Sequence, residues 1–480
     1  MGWALPTLAL KAEEARRATG AWSARGVTEK TVAAFDEDEL TLGVEAGARA
    51  LAAGGLHGGR IGYLAFASVG APGGTGALAG LALGMPRGQA VDFRGAGAPF
   101  AAALFAAVQA ADASGAAGLV IAADALRARP EDPCDHALGA GAAAFVIEAH
   151  AKVQVVGGGF ATAPALEPTR MGPDGLVRSF QGDDPSPAAL RMALADLFLA
   201  GASPTGDRGL TGFAPESFDR AAGPERGGPM LATHSPTRLR SEVLAPSLWA
   251  RTGDTGAASA ALSLLAALEG AESDDQVLLA DAEGASGAAF AVKVAERPRG
   301  ADGFHDAVSR PRSHLSWPLY LGHRRYIPDA RPTDTRSEGA YVSPAAWEET
   351  MEARLTLLAS RCTGCNRVRH PPRDVCPDCG GSVRETFHAR PEGAVHALTR
   401  IGRGGAPSEF ALQQSLVGDY AVAVVDMVDG FRMVAQLSGA DPRGVKIGDG
   451  VRLALRRLFE QEGRTRYGLK AVPFGEGRRP

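Results

Sequence analysis

The sequence predicts an α/β layered domain followed by a short cysteine-containing module and a small antiparallel β-barrel. Before about residue 300, Ala/Gly-rich helical patterns alternate with short apolar runs. Four cysteines then form two C-x-x-C pairs, and Val-rich runs with an Asp429-Gly430 turn follow them. Strands alternating with helical stretches indicate α/β layers, whereas short strands joined by tight Asp-Gly turns indicate a barrel. A chain of 480 residues suits two to four domains at roughly 100–200 residues each.

Short apolar runs in the first part of the chain predict buried strands. They are RIGYLAFASV at 60–69, AAGLVIAAD at 116–124, AAAFVIEAH at 142–150 and DQVLLADAE at 275–283. Several are apolar at successive positions, as expected for strands that are covered on both faces. The run APFAAALFAAV at 98–108 predicts a buried core helix, because about 20 apolar residues are needed to cross a bilayer.

Two segments of this domain share one plan, which indicates an internal duplication. Residues 98–148 and 253–294 each contain an Ala-rich helix, a strand, a small-residue loop and a second strand. Both end in a Gly/Ala-rich hairpin, LGAGAAAFVIE in one and GASGAAFAVKV in the other. A pseudo-twofold α/β domain follows from this plan, and chance similarity of two Ala-rich segments is the alternative.

The expected organisation is an α/β domain at 1–298, a connector at 299–345, a helix with the cysteine module at 346–388, and the barrel at 389–480. The connector is rich in Pro, Arg and Asp and has little helical periodicity. Its aromatic residues disfavour a disordered linker, so we expect it to dock on one of the domains. They are Trp317, Tyr320, Tyr326 and Tyr341. The sequence PAAWEETMEARLTLLAS at 344–360 predicts a helix that leads into the cysteines.

Four cysteines predict a structural zinc site. Cys362, Cys365, Cys376 and Cys379 form CTGC, ten further residues and CPDC. Paired knuckles of this kind present four thiolates to one tetrahedral Zn²⁺, and Gly364 and Gly380 suit the tight turns. Four protein ligands leave no open position for a reactive water, so the zinc is expected to be structural. A redox dithiol and a site that has lost its metal are the alternatives.

The composition argues against several classes of protein. The 50 Lys and Arg residues against 54 Asp and Glu give a net charge of −4, which disfavours a nucleic-acid binder held by bulk electrostatics. Five cysteines are too few for a disulfide framework. The first residues, MGWALPTLALKAEEARR, lack a basic region followed by a long apolar run, so no secretory signal is expected. We therefore expect a cytoplasmic protein that neither spans a membrane nor binds nucleic acid.

Residues 347–474 resemble a zinc-ribbon plus OB-fold family associated with acyl-CoA enzymes. The resemblance rests on RCTGCNRVRHPPRDVCPDCGG, on the Val-rich barrel and on SGADPRGVKIGDGVRL. In that family the module accompanies thiolase-fold enzymes as a separate subunit or a fused tail. OB folds otherwise bind oligonucleotides, which the acidic balance and scarce aromatic residues disfavour here.

Residues 1–298 resemble the thiolase superfamily, and within it the hydroxymethylglutaryl-CoA synthase and type III ketoacyl synthase branch. The matching segments are KAEEARRATGAWSARGVTEKTVAAFDEDELTLGVEAGARAL, HALGAGAAAFVIE, THSPT and TGDTGAAS. The resemblance implies a thiolase-like fold of duplicated α-β-α layers. The first strand looks shorter than is usual in the family.

The resemblance implies a site that departs from the family pattern at three positions. Gly95, or Ala96 if the register slips by one, stands where the family has its nucleophilic Cys at a helix N-terminus. His234 matches the family's His, and Asp254 stands in place of an Asn that donates to a developing oxyanion. No acid lies in AFASVGAPGG, where the hydroxymethylglutaryl branch has a general base. A domain that cannot form an acyl-cysteine intermediate is the expected result.

Coenzyme A thioester is the ligand or substrate that the resemblance implies. Arg238 and Arg240 follow His234 and are candidates to contact its phosphates, because Arg suits bidentate phosphate binding. The Arg-rich segments ERPRG, SRPR and HRR between 296 and 325 are better explained as solvated faces, and contact with the phosphates is the alternative.

Three functions remain open from the sequence. The first is an accessory or non-canonical subunit, in a dimer or hetero-oligomer with a thiolase-type catalytic subunit, that helps to make or cleave carbon–carbon bonds in CoA thioesters. The second is a self-sufficient acyl-CoA aldolase or hydroxymethylglutaryl-CoA synthase-like acyltransferase that uses His234 or Asp254 without a nucleophilic Cys. The third is an ordinary synthase with Cys134 as nucleophile, although a small residue without chemistry is the simpler interpretation of Cys134.

Overall fold

The computed structural model of the chain divides into two compact units. The described residues are 1–85, 87–95, 98–130, 132–163, 169–171, 175–179, 188–198, 213–225, 230–236, 239–326, 343–402, 405–407, 410–461 and 464–474. The first unit comprises Met1–Ala34, Asp38–Gly80 and Met85–Tyr326. The second comprises Phe35–Glu37, Leu81–Gly84 and Ile327–Pro480. Among the described residues, no helix has the length and apolarity that crossing a membrane requires.

The first unit is built from strands and helices that alternate along most of its length. Its strands are β1 (Gly2–Ala4), β2 (Leu8–Lys11), β3 (Glu29–Val32), β4 (Ile61–Ser68), β5 (Gln89–Arg94), β6 (Ala117–Asp124), β7 (Gly141–Ile147), β8 (Val153–Thr162), β9 (Thr169–Met171), β10 (Val177–Ser179), β11 (Arg220–Ala222), β12 (Gln276–Glu283), β13 (Ser286–Val294) and β14 (Ser313–His314). Its helices are α1 (Ala12–Thr19), α2 (Glu39–Gly54), α3 (Thr75–Ala82), α4 (Pro99–Ser114), α5 (Ala188–Phe198), α6 (Met230–His234), α7 (Trp249–Thr252), α8 (Ala258–Glu269), α9 (Phe304–Ser309) and α10 (Trp317–His323).

Two sheets enclose an inner layer of helices. One sheet has the strand order β1-β7-β6-β4-β5, and the other has the order β11-β12-β13-β8. Helix α4 contacts β4, β6 and β12, and α8 contacts β6, β7, β11 and β12, so both lie between the sheets. Helix α2 packs on β1, β6 and β7, and α5 packs on β8, β12 and β13, each on an outer face. These layers confirm the predicted duplicated α-β-α architecture.

The predicted duplication is visible in the topology. The segment α4-β6-β7 and the segment α8-β12-β13 both place a helix before two antiparallel strands. The first strand of each pair also lies beside a parallel neighbour, β4 for β6 and β11 for β12. Helix α8 is buried at every position from Ala258 to Leu268, as expected for a helix covered on all sides. Its Ala-rich sequence therefore reflects close packing between two sheets.

Two aspartates cap the inner helices reciprocally across the duplication. Asp124, the last residue of β6, accepts a hydrogen bond from the backbone N–H of Ala257 at the start of α8 (2.8 Å). Asp281 of β12 accepts one from the backbone N–H of Ala101 in the first turn of α4 (3.1 Å). Both carboxylates are buried. Each half therefore supplies the carboxylate that satisfies the helix of the other half.

The end of the first unit is more regular than its sequence indicates. The stretch interpreted as a connector contains α9, β14 and α10, and β14 joins β2 and β3 in a three-stranded sheet. Helices of six and seven residues are too short to show a helical period in the sequence. Burial of Tyr320 instead anchors α10 to the domain.

A buried polar cluster surrounds Tyr320. Its hydroxyl donates to Asp135 Oδ2 and accepts from Lys30 Nζ (2.9 Å), while the Tyr326 hydroxyl donates to Asp135 Oδ1 (2.8 Å). The side chains of Lys30 and Asp135 are both fully buried. Burial lowers the pKa of Lys30 to about 8, and the nearby Asp135 carboxylate opposes that shift. Each member therefore depends on the others for its hydrogen bonds.

The second unit contains two antiparallel sheets. Its helices are α11 (Pro344–Glu349), α12 (Met351–Thr356) and α13 (Ala411–Val417). Its strands are β15 (Leu358–Cys362), β16 (Val368–Arg369), β17 (Arg384–His388), β18 (Glu392–Ile401), β19 (Tyr420–Met427), β20 (Arg432–Gln436), β21 (Gly450–Gln461) and β22 (Arg464–Pro473). The small sheet has the order β16-β15-β17, and the larger has the order β20-β19-β18-β21-β22. A bridge between Leu437 and Ala471 brings the outer strands of the larger sheet together, as a barrel requires.

The single helix predicted at 344–360 is wrong in extent. The structure has two short helices, α11 and α12, and then the strand β15. Leu357 has a φ of 55°, and this left-handed conformation ends α12. The residues that follow pair with β16 and β17, so long-range strand pairing overrides their helical propensity.

Replacing Tyr320 by Phe tests the buried cluster. We expect Tyr320→Phe to lower the free energy of unfolding by about 1–3 kcal/mol, because Lys30 and Asp135 would each lose a buried hydrogen-bond partner. Urea denaturation of both proteins provides the measurement. Tyr63→Phe is the matched control, since the Tyr63 hydroxyl has no hydrogen bond within the described residues. Equal stability of the two variants would contradict the role assigned to Tyr320.

Candidate functional site

The four predicted zinc ligands converge in the small sheet of the second unit. Cys362 ends β15, and all four sulfur atoms lie within 4.8 Å of one another. The Sγ atoms of Cys362 and Cys379 are 3.6 Å apart, as are those of Cys365 and Cys376. Sulfurs about 2.3 Å from one tetrahedral zinc lie roughly 3.8 Å from each other. The four thiolates therefore fit one zinc ion, and they leave no ligand position for water.

Two backbone turns hold the cysteine pairs. In the first, the N–H of Asn366 donates to the carbonyl of Cys362 (2.8 Å); in the second, the N–H of Gly380 donates to the carbonyl of Cys376 (2.9 Å). Gly380 has a φ of 74° and Asn366 a φ of 60°. The left-handed position of the first turn thus belongs to Asn366, and Gly364 does not have a positive φ. Asn tolerates this conformation better than most other side chains.

The backbone also favours a thiolate at Cys362. Hydrogen bonds from the backbone N–H groups of Cys365 and Gly364 lower the pKa of Cys362 to about 7. Arg369 pairs with Asp378 beside the cluster, and Arg384 pairs with Asp374 (2.7 Å). Donors and cations around a zinc-thiolate centre orient its ligands and offset their charge.

In the first unit, the site implied by the thiolase resemblance lies where α4 begins. Gly95 directly follows β5 and has a φ of 86°, and a Cβ placed there would meet open space. Ala96, the alternative match to the family's Cys, lies outside the described residues. Ala98 precedes α4 with a φ of 52° and is fully buried. No cysteine occurs between 1 and 133, so no thiol stands at this helix.

Of the two other implied catalytic residues, the structure describes the side chain of Asp254 but not that of His234. His234 is the last residue of α6, and its side chain lies outside the described part of the chain. Asp254 is buried, and its Oδ1 accepts a hydrogen bond from the backbone N–H of Gly256 (2.9 Å). The backbone of Asp254 pairs with the loop before β7 through the N–H of Gly139 (2.7 Å). Asp254 is therefore held close to the start of α8.

The remaining candidates from the sequence are Cys134, Arg238 and Arg240. Cys134 lies in a 3₁₀ turn, Pro133–His136, and not at the start of α4. Arg238 lies outside the described residues. Arg240 is exposed and precedes the 3₁₀ turn Ser241–Val243.

Asp124 and Asp281 accept hydrogen bonds at the starts of α8 and α4, and the sequence analysis did not single them out. Besides Ala257, Asp124 accepts hydrogen bonds from the Ser68 hydroxyl (2.6 Å) and the Val69 N–H (2.9 Å). Burial raises the pKa of Asp124 to about 7, although those donors oppose the shift. A Cβ on Gly256 would lie 2.4 Å from Asp124, so Asp124 and Asp254 flank the same glycine. Each of the two aspartates follows an apolar run in the sequence, Asp124 in VIAAD and Asp281 in LLAD. This shared pattern could have indicated them.

Comparison with known proteins identifies the two parts of the second unit. Residues 351–384 match the family model described as ChsH2, rubredoxin-like zinc ribbon domain. Residues 389–456 match the model described as ChsH2, C-terminal OB-fold domain. The chain is also 29% identical over 127 residues to a DUF35 domain-containing scaffold protein of Methanothermobacter thermautotrophicus, covering 25% of this chain and 88% of that protein.

The first unit has the fold of hydroxymethylglutaryl-CoA synthases. The chain is 29% identical over 352 residues to the hydroxymethylglutaryl-CoA synthase of Archaeoglobus fulgidus, covering 67% of this chain and 96% of that protein. A solved structure, MvaS in complex with 3-hydroxy-3-methylglutaryl coenzyme A, superposes with a TM-score of 0.55 at 20% identity, covering 71% of this chain and 94% of that chain. The chain therefore joins a thiolase-like unit to a zinc ribbon and an OB fold.

Removing zinc tests the metal centre. We expect a purified chain to hold one zinc, and chelation to unfold the ribbon, because metal binding contributes on the order of 10 kcal/mol to such modules. Elemental analysis and hydrogen exchange across β15–β17 are the measurements. Cys134→Ser is the control that should leave both unchanged. A Cys362→Ser protein with full zinc content and native protection would show the assignment to be wrong.

Proposed function

We propose that this chain is an accessory, non-condensing thiolase-like subunit that works with a thiolase-type catalytic subunit on CoA thioesters. The observation that carries the proposal is the hydrogen bond between Asp281 and the first turn of α4. In the family that the first unit resembles, the corresponding helix presents the nucleophilic Cys. Here the sequence has no Cys at that point, and an internal carboxylate occupies the helix terminus.

The electrostatics of α4 support this proposal. The N-terminus of a helix carries positive partial charge and unpaired N–H donors, which lower a thiol pKa or bind an oxyanion. Asp281 takes up one of those donors and, when ionised, places a negative charge beside the others. A second anion, whether a thiolate or a developing alkoxide, would be repelled at this position.

Asp254 supports the same conclusion. Its family counterpart is an Asn, which donates an N–H to the oxyanion. The Asp254 side chain accepts from the Gly256 N–H, so it acts as an acceptor where the reaction needs a donor. The chain therefore lacks both the nucleophile and one oxyanion donor of a condensing enzyme.

Two features support an assembly with a catalytic partner. Strand β5 lies at the edge of its sheet and, among the described strands, pairs only with β4. Thiolase-fold domains dimerise through such sheet edges, so a degenerate copy can complete a heterodimer. The relative that matches 25% of this chain is named a scaffold protein, which suits a bridging role for the zinc-ribbon and OB-fold part.

A self-sufficient acyl-CoA aldolase is the second candidate. Aldol cleavage needs a base and an activated carbonyl but no nucleophilic Cys. The specific observation in its favour is Asp254, a carboxylate held at the start of α8 where the family has a neutral Asn. A carboxylate at this position can act as a base, which an Asn cannot.

Incubation with acetyl-CoA tests the loss of condensing chemistry. We expect the intact mass of the purified chain to remain unchanged, because no cysteine stands at the start of α4 to accept the acetyl group and the four ribbon thiolates are expected to bind zinc. The measurement is mass spectrometry of the acid-quenched protein. A stable acetyl adduct would refute the proposal, and its disappearance in a Cys134→Ser variant would instead identify Cys134 as the nucleophile.

Purification from the native source tests the partnership. We expect a thiolase-type chain with an intact nucleophilic Cys to co-purify in stoichiometric amount, as measured by native mass and peptide identification. The activity of that chain should fall when it is assayed alone and return when this chain is added. Retro-aldol activity of this chain in isolation, abolished by Asp254→Asn, would favour the second candidate.

A further inference from the structure

Two arginines of the second unit contact the ring of one tryptophan. The guanidinium carbon of Arg354 in α12 lies 3.5 Å from the centroid of the Trp347 ring, and that of Arg466 in β22 lies 5.0 Å from it. Phe459 of β21 packs edge-on against the same indole, with 6.3 Å between the ring centroids. The buried indole is therefore a fixed support that holds two cations close together.

Neither arginine has an acidic partner. Across the residues that the structure describes, no carboxylate forms an ion pair with Arg354 or Arg466. Arg354 donates one hydrogen bond, to the backbone carbonyl of Trp347. The Nε–H group of each arginine is buried without an acceptor. Two neighbouring positive charges thus repel each other, and an anion that bound both would relieve the repulsion.

The glutamates of the adjoining helices do not neutralise this pair. Glu348 and Glu349 of α11 and Glu352 of α12 are exposed, and none of them forms an ion pair with Arg354 or Arg466. Burial lowers the pKa of Arg354, and the charge of Arg466 lowers it further. The described part of the second unit therefore leaves a charge of +2 without a counter-ion at this place.

The surroundings favour a protein segment over a small anion as the missing partner. Sites for small molecules are concave and enclose most of the ligand. Trp347 is only 8% exposed, so it offers no open face on which a base or another ring could stack. Arg and Trp are the residue types that dominate the energetic centres of protein interfaces. Carboxylates on neighbouring turns of a helix lie close enough together to meet two such guanidinium groups.

We propose that Arg354 and Arg466 form a docking point for an acidic segment of the thiolase-type catalytic subunit. The proposal rests on the proposed function and names the surface and the chemistry through which that partner binds. The outer nitrogens of Arg466 are neither hydrogen-bonded nor buried, so a carboxylate can reach them. Ion pairs at such a surface fix the register of two proteins and weaken as salt is added.

Replacing Arg466 by Gln separates docking from stability. The variant should bind an acidic segment more weakly, because it loses a charge-assisted donor. Its midpoint of urea unfolding should stay unchanged or rise, because Arg354 loses a repelling neighbour. A merely structural role for Arg466 predicts the reverse, a lower midpoint and unchanged binding. Arg390→Gln is the matched control, since Arg390 is paired with Asp429.

Fluorescence anisotropy of a labelled hexaglutamate peptide, titrated with the zinc-loaded full chain at low salt, measures the binding. We expect Arg354→Gln and Arg466→Gln to weaken it by roughly three- to tenfold each, and the charge reversal Arg466→Glu to abolish it. Equal affinity in these variants and in the control would overturn the proposal. Stronger competition by inorganic pyrophosphate than by unlabelled hexaglutamate would also overturn it, because the site would then prefer a small anion.

Purification from the native source, repeated with Arg466→Glu in place of the original chain, connects the site to the partner. We expect less of the thiolase-type chain to co-purify with the variant. Equal recovery with both proteins would defeat this inference and leave the proposed function intact. If no such chain co-purified even with the original protein, the proposed function would fail, and the docking of a catalytic subunit would fail with it.

Discussion

The inner helices of the first unit depend on carboxylates supplied across the duplication. Helices α4 and α8 begin inside the protein, where their first N–H groups cannot reach water. Asp281 satisfies one and Asp124 the other, so each half of the unit completes the other. Without these acceptors, two helix termini would lie buried with unpaired donors between two sheets. The layered fold thus requires hydrogen-bond acceptors to be placed in its centre.

The same requirement shapes the chemistry that the fold can perform. A carboxylate at a helix terminus competes with a nucleophile or an oxyanion, because all of them draw on the same N–H donors and the same partial charge. In this chain Asp281 accepts from the first turn of α4, and the sequence contains no cysteine there. The contact that stabilises the inner layer therefore also supports the proposal that this chain does not condense acyl groups.

The second unit is stabilised by an apolar core and by its four-cysteine metal site. Val395, Val425 and Val451 of the barrel contribute fully or almost fully buried side chains to an apolar core, and Ala359 and Val368 of the ribbon sheet belong to the same core. The ribbon strands β15 to β17 are short, and their sheet is too small to bury much apolar surface. Four thiolates on one metal add stability to this small sheet. Arg369 and Arg384 lie beside the thiolates, and each is paired with an aspartate.

The sequence by itself determined the layers, the duplication and the metal ligands, because each is written in local patterns. Apolar runs predicted β4, β6, β7 and β12, and the four cysteines lie within eighteen residues. Tertiary structure alone decided the pairing of Asp124 with Ala257 and of Asp281 with Ala101, which are 133 and 180 residues apart. Strand pairing also ends the helix predicted at 344–360 early, because β15 forms its hydrogen bonds with β16 and β17. Contacts between distant segments leave no period or spacing in the sequence, and only folding brings them together.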